Sequence, residues 1–107
     1  MPVDLLIHDG TVIDGTTAPP FRADVAIKDG RILGVGTIEK QAGIPCIDAQ
    51  GLFVAPGFID IHSHSDFTLI LDPRAMSSIT QGVTLEIVGN CGHGLSLIHI
   101  SEPTRPY

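Results

Sequence analysis

The segment from Phe58 to Val88 constrains the fold more than any other part of the chain. It begins with a β-rich stretch, Phe58 to His62, that is apolar on both faces, as a buried parallel strand is. Val83 to Val88 has the same character. Parallel strands need a crossover connection, so a helix is expected between them. Strand, helix and strand in this order predict a right-handed βαβ unit, the building block of doubly wound sheets and of (β/α)8 barrels.

The crossover helix is predicted to begin at Asp72-Pro73. Aspartate is a favoured N-cap residue, and proline fits the first helical position because its missing N–H has no partner there. An apolar stripe of Ala75, Met76 and Ile79 follows, and Gly82 lies just past the expected end.

A near-repeat precedes this unit, since Asp9-Gly10 and Asp29-Gly30 each lie between short apolar runs. Asp-Gly accepts the positive φ angles of a two-residue turn, so each pair predicts a β-hairpin. The predicted strands cover roughly 3–8, 11–14, 23–28 and 31–36, with a fifth near Cys46 to Asp48. We therefore expect the first half to form a small antiparallel sheet module.

Composition and charge exclude several classes of protein. Hydrophobic residues make up 43% of the 107 residues and charged residues 17%, which excludes a disordered chain. Twelve acidic and six basic residues give a net charge of −6, which argues against binding to nucleic acid or to an anionic membrane. With no secretion signal and no long apolar span, we expect a cytoplasmic protein with free thiols.

Three side chains with metal-binding chemistry lie at the predicted carboxyl ends of the two parallel strands. His62 and His64 end the first strand, and strand alternation places both imidazoles on one face. Cys91 follows the second strand, 29 residues after His62, so it is expected at the same rim. Two imidazoles and a thiolate favour zinc. The alternative interpretation is two polar residues that end a strand and a small buried thiol in a glycine-flanked turn.

Several other polar residues are weaker candidates. Asp66 either reaches the site or serves as a loop or outer carboxylate. Asp60 is a candidate partner one layer deeper. His93 is expected to be an exposed loop residue, with a ligand or substrate contact as the alternative. His8 is expected to be a surface residue, and Cys46 is expected to be a packed thiol in a strand. Glu86 lies in a strand, so its carboxylate needs a hydrogen-bond or ionic partner.

The stretch from Ala55 to His64 resembles the first-strand signature of the amidohydrolase superfamily, whose members place a small β-sandwich beside a metal-dependent (β/α)8 barrel. Gln81 to Thr84 and Val88 to Gly92 resemble the N-acyl-D-amino-acid deacylase, or D-aminoacylase, group. The resemblance covers residues 1–94. It implies an α/β fragment with part of the β-sandwich domain in residues 1–55 and the first βαβ unit of a truncated barrel in residues 56–94.

The resemblance also implies the chemistry of the parent protein, a hydrolase of carbon–nitrogen bonds that contains one or two Zn²⁺ ions. Such an enzyme hydrolyses small N-acyl-D-amino acids with water that the metal activates. His62 and His64 would hold the more weakly bound metal, and Cys91 would bridge two metal positions where other members have a carboxylated lysine. The general base and the residues that bind the substrate carboxylate are expected beyond this chain, so the fragment alone should be inactive.

Two alternative functions are kept. A dihydroorotase-like or hydantoinase-like cyclic amidase would share the first-strand signature, although Cys91 disfavours it. A non-enzymatic β-module with a structural metal site would need a closed set of four ligands, and the chain offers three good ones.

The last part of the chain has a different character. Leu95 to Arg105 resembles the in-frame translation of a sequencing-library transposase adapter. We therefore expect residues 95–107, including His99, to be a non-native tail.

Overall fold

A computed structural model describes residues 3–94 and divides them into two compact units, with the boundary between Pro56 and Gly57. The expected non-native tail lies outside the described residues. The elements of the first unit are β1 (Leu5–Val12), β2 (Phe21–Lys28), β3 (Arg31–Gly36), β4 (Cys46–Asp48) and β5 (Phe53–Val54). Those of the second are β6 (Phe58–Asp60), α1 (Ser65–Leu71), α2 (Met76–Ile79), β7 (Val83–Glu86) and a 3-10 turn (Asn90–Gly92).

The first unit is a five-stranded mixed sheet. β1 pairs antiparallel with β2, and β2 pairs antiparallel with β3. The predicted hairpin at Asp29-Gly30 is confirmed, with positive φ angles of 49° and 70°. A strand at Cys46–Asp48 is also confirmed, but both β4 and β5 pair parallel to β1. The expectation of a purely antiparallel sheet is therefore wrong.

The predicted hairpin at Asp9-Gly10 is wrong, because β1 runs through this position as one strand. Ile7 pairs with Val25 and Gly10 with Ala23, so two residues of β1 oppose one of β2 in a β-bulge. Asp9 has a φ of 58°, as a bulge or a turn residue can. The strand continues because β4 and β5 pair with its two halves.

A buried carboxylate stabilises this bulge. Asp24, which is 6% exposed, accepts a hydrogen bond from Asp9 N at 2.8 Å and another from Ile38 N at 2.8 Å. His8 Nδ1 lies 2.8 Å from the same carboxylate, so the predicted surface histidine is instead half-buried and paired. The hydrogen bond from Ile38 N, followed by that from Asp9 N, holds the pKa of Asp24 below its ordinary value despite burial.

The buried apolar side chains of the described residues lie in the first unit, and all are small or medium-sized: Leu6, Val12, Val25, Ala26 and Ala49. Gly10 belongs to this region, since a Cβ at that position would collide with Val54 of β5. Cys46 was expected to be a packed thiol, but it is exposed because β4 is a short strand at the margin of the sheet.

The second unit contains the predicted parallel pair. Phe58 of β6 pairs with Val83 of β7, and Asp60 pairs with Glu86. Both strands are shorter than the apolar patterns suggested. A Cβ on Gly57 would collide with the Thr84 side chain, so the chains approach closely where the pair begins.

The helical crossover differs from the prediction. The first helix, α1, begins at Ser65, and Asp72 is its C-cap rather than an N-cap. Asp72 adopts an extended conformation with φ −133° and ψ 88°, because a residue before proline is pushed out of the helical region. α2 is a single turn, and Gly82 follows it with a φ of 84°, as expected. Within residues 3–94 no helix is long and apolar enough to cross a membrane.

Burial of the second unit also differs from the prediction. The strand patterns indicate residues covered on both faces, but Phe58, Ile59 and Leu85 are 62%, 57% and 54% exposed. Two short strands and two short helices do not supply enough surface to cover them. These apolar side chains therefore lack the packing that parallel strands normally have.

We predict that Asp24→Asn destabilises the protein by about 1–3 kcal/mol, because the amide NH2 group leaves a buried backbone N–H of Asp9 or Ile38 without an acceptor. The free energy of unfolding in urea measures this. Asp48→Asn is the matched control, since Asp48 is an exposed residue that accepts only a local bond from Gln50 N. The control should stay within about 0.5 kcal/mol of wild type.

The same pair of proteins also gives a pH test. A carboxyl with a lower pKa in the folded state contributes stability above its unfolded pKa of about 3.9, and this contribution is lost as pH falls through the folded value. The stability difference between wild type and Asp24→Asn should therefore shrink below about pH 4. An equal difference at all pH values would contradict this account of Asp24.

Candidate metal centre

The two histidines lie just after β6 rather than on it. The strand ends at Asp60, whose Oδ1 accepts a hydrogen bond from His62 N at 3.0 Å and so turns the chain. His64 is the N-cap residue of α1. The two imidazole centroids are 5.4 Å apart with an interplanar angle of 71°. A turn after the strand therefore brings the two rings together. From the sequence they were instead expected to lie on one face of the strand, because strand side chains alternate.

Cys91 lies in the 3-10 turn that follows β7. Its backbone is left-handed, with a φ of 58°, between Gly89 and Gly92, whose φ angles are 84° and 72°. This turn brings Cys91 Sγ to 3.8 Å from His62 Nε2. One ligand atom each from His62, His64 and Cys91 lie within 4.8 Å of one another, so the structure brings the three predicted residues together.

These separations fit a shared ion. Zinc bonds of about 2.0–2.1 Å to nitrogen and 2.3 Å to sulfur, with a tetrahedral angle between them, place the nitrogen and sulfur about 3.6 Å apart. The observed 3.8 Å between Cys91 Sγ and His62 Nε2 is close to that value. All three side chains are exposed, so three protein ligands with an open side are available, as in catalytic zinc sites.

The weaker candidates do not join this group. Asp60 uses its carboxylate on the backbone of His62, and His93 is exposed after the 3-10 turn. Asp66 lies in the first turn of α1 and lines a cavity with Leu69 and Val88. Among the described residues, the metal-binding chemistry is therefore concentrated in the two histidines and the cysteine.

The sequence correctly required a partner for Glu86 but did not identify it. Glu86 accepts hydrogen bonds from Ser78 and from Ser63, the residue between the two histidines. The bond from Ser78, followed by those from Ser65 and Ser63, lowers the pKa of Glu86 from its ordinary value. The sequence indicated only that a carboxylate in a strand needs a partner. It did not indicate which residue, because serines that bond a distant carboxylate follow no recognisable sequence pattern.

Known proteins resemble this chain over most of its length. The N-acyl-D-aspartate deacylase of Alcaligenes xylosoxydans xylosoxydans is 42% identical over 103 residues, which are 96% of this chain and 21% of that protein. Structures of D-aminoacylase match with a TM-score of 0.82 and 44% identity, covering 88% of this chain and 20% of theirs. One of them is described as having a binuclear metal center.

A third similar protein is N-acyl-D-glutamate deacylase from Bordetella bronchiseptica. Its crystal structure contains zinc and a phosphonate inhibitor that mimics the tetrahedral intermediate of the reaction. It matches with a TM-score of 0.76 and 42% identity, covering 86% of this chain and 19% of that one.

The chain thus spans about a fifth of the length of the relatives it matches. The sequence profile of the amidohydrolase family matches residues 46–106. Because this match covers more than half of the 107 residues, the chain belongs to the amidohydrolase family.

Proposed function

We propose that the full-length protein is a metal-dependent amidohydrolase that hydrolyses the amide bond of small N-acyl-D-amino acids, and that this chain supplies part of its metal centre. The observation that carries the proposal is the approach of His62, His64 and Cys91 to within 4.8 Å of one another. The similarity to deacylases of N-acyl-D-aspartate and N-acyl-D-glutamate supports the substrate class.

In this proposal the three side chains hold one or two Zn²⁺ ions. His62 and His64 would hold the metal through imidazole nitrogens, and Cys91 would hold it through sulfur. When bound, zinc polarises the amide carbonyl and lowers the pKa of water toward about 7. The general base and the groups that bind the substrate carboxylate belong to the remainder of the protein.

The proposed architecture is the beginning of a (β/α)8 barrel in residues 56–94, preceded by part of a β-sandwich domain in residues 1–55. The parallel pair of β6 and β7, joined by a helical crossover, supports it. So does the position of the metal-binding residues just past the carboxyl ends of both strands, where barrel enzymes have their active sites. The exposed apolar side chains of β6 and β7 would be covered by the other strands and outer helices.

The alternative functions have weaker support. A cyclic amidase of the dihydroorotase or hydantoinase type does not account for Cys91 beside the histidines. A structural metal site needs four closed ligands, whereas this group has three ligands that are all exposed.

The first prediction of the proposed function concerns residues 95–107, which we propose to be a non-native tail. Genomic DNA amplified and sequenced without library adapters should depart from this sequence after Gly94 and continue in frame through further strand and helix patterns. If the genome encodes Leu95 to Arg105 in frame, the tail is native and this proposal is wrong.

The second prediction concerns the thiolate ligand. In the full-length protein loaded with Co²⁺, we expect a near-ultraviolet charge-transfer band from Cys91 sulfur to cobalt. Cys91→Ser should remove this band and weaken Co²⁺ binding by at least about 10-fold. Cys46→Ser is the matched control, because Cys46 is an exposed cysteine in the other unit, and it should retain the band. The ligand assignment would fail if Cys91→Ser kept the band.

The third prediction compares the 107-residue chain with the full-length protein in an assay of N-acetyl-D-amino acid hydrolysis with added zinc. The short chain should show no turnover, because a (β/α)8 barrel takes about 250 residues and this chain supplies two of its strands. Its exposed apolar strands should also make it aggregate or remain loosely packed. Turnover by the short chain that His62→Ala abolishes would show that the site is complete without the remaining barrel.

A further inference from the structure

Ser63 is a buried residue between two exposed ligands. It is 8% exposed, whereas the flanking His62 and His64 are both exposed. The two imidazoles lie on the exposed side together with Cys91, while the serine hydroxyl points into the second unit toward Glu86. Contacts that fix the position of Ser63 therefore also restrict the backbone of the two neighbouring histidines.

Each polar group of Ser63 bonds to β7 or to the segment after it, and its hydroxyl oxygen also accepts a hydrogen bond from Ser65 N at 3.1 Å. Its backbone N–H donates to Ile87 O at 3.1 Å, and its carbonyl accepts from Asn90 Nδ2 at 3.4 Å. Its hydroxyl donates to Glu86 Oε2 at 3.2 Å. The bonds of the Ser63 backbone fix the path of the main chain beside β7. The bond of its hydroxyl to Glu86 fixes which way the side chain points, and so the orientation of this turn.

Glu86 connects this serine to the helical crossover. Its Oε1 accepts a hydrogen bond from Ser78 of α2, while its Oε2 accepts from Ser63. Ser65 Oγ lies 2.7 Å from Ser63 Oγ, and each hydroxyl has one proton to donate. The ionised carboxylate has no proton, so it is the acceptor toward which the serine hydroxyls point. Glu86 thereby links β7, α2 and the turn that carries the two histidines.

We propose that Glu86 is a positioning residue of the metal centre, which acts through Ser63 to hold His62 and His64 in the orientation that binds the ion. This inference rests on the proposed function, since it assigns a role in metal binding. Glu86 touches neither the metal ligands nor substrate. Partners that hydrogen-bond a metal ligand directly raise metal affinity by about 10- to 100-fold, so a residue that acts through Ser63 should have an effect at or below the lower end of that range.

The role differs from general stabilisation of the fold. In Glu86→Ala the backbone bonds of Ser63 N–H to Ile87 O and of Ile87 N–H to Asp60 O remain, so the parallel pair persists. What is lost is the carboxylate that accepts the Ser63 and Ser78 hydroxyls, while the bond from Ser65 N to Ser63 Oγ remains. The imidazoles then sample more orientations, and the ion binds less tightly to an otherwise folded protein.

The test measures Co²⁺ affinity of the full-length protein after removal of its metal, together with its thermal unfolding midpoint in the metal-free state. Glu86→Ala should bind Co²⁺ several-fold, up to about 10-fold, more weakly than wild type, with an unchanged midpoint. Glu86→Gln should recover most of the affinity, because its amide oxygen still accepts one serine hydroxyl. Ser77→Ala, at an exposed residue beside Ser78, is the matched control and should bind as wild type does.

The outcomes separate this inference from the proposed function. If wild-type protein does not bind Co²⁺ through Cys91, the proposed function fails. If wild type binds and Glu86→Ala binds equally well, or Glu86→Gln is weakened as much as Glu86→Ala, the positioning role is overturned. Should Glu86→Ala fail to fold, Ser63→Ala removes only the hydroxyl, and wild-type affinity in that variant would overturn the role equally.

Discussion

Parallel pairing between β6 and β7 is the constraint on which the candidate metal centre depends. The pairing continues past both strands, since Ile87 N–H donates to Asp60 O at 2.8 Å and Ser63 N–H donates to Ile87 O at 3.1 Å. Parallel strands end at the same edge, so His62 and Cys91 become neighbours although 29 residues separate them. An antiparallel pair would place the same residues at opposite ends, and no local rearrangement of either turn could bring them together.

The convergence of His62, His64 and Cys91 was predictable from the sequence because its signal is chemical identity combined with position. The two imidazoles follow one apolar run, and the thiol follows another run one βαβ unit later. This arrangement is enough to predict that the three groups converge, even where the exact ends of the strands are not known. The supporting network was not predictable in the same way. Glu86 needed a partner because of its strand position, but Ser63 and Ser78 became its partners only through the path of the crossover. Serine is common in loops and helices alike, so its role emerges only from three-dimensional contacts.

The two Asp-Gly pairs show that a local sequence pattern alone does not determine whether a turn or a bulge forms. Asp29-Gly30 forms the predicted turn because β2 and β3, the strands on either side of it, pair directly with each other. Asp9-Gly10 has the same backbone preference, and Asp9 does adopt a positive φ, but the conformation appears in a bulge. A distant carboxylate, Asp24, accepts its N–H, and two strands encoded 40 residues later pair along the opposite edge. Long-range pairing therefore selected between two structures that the dipeptide permits equally.

The left-handed backbone of Cys91, with a φ of 58°, limits which residues can replace it without backbone strain. Glycine enters that conformation freely, and asparagine and aspartate are the other residues that adopt it most readily. Of these three, aspartate alone carries an anionic metal ligand. Of the residues that suit this left-handed turn, aspartate would also keep an anionic side chain at position 91, and its oxygen donor would favour harder cations such as Mn²⁺ over zinc. The backbone conformation of this one turn therefore limits which donor atoms position 91 can present beside the two histidines.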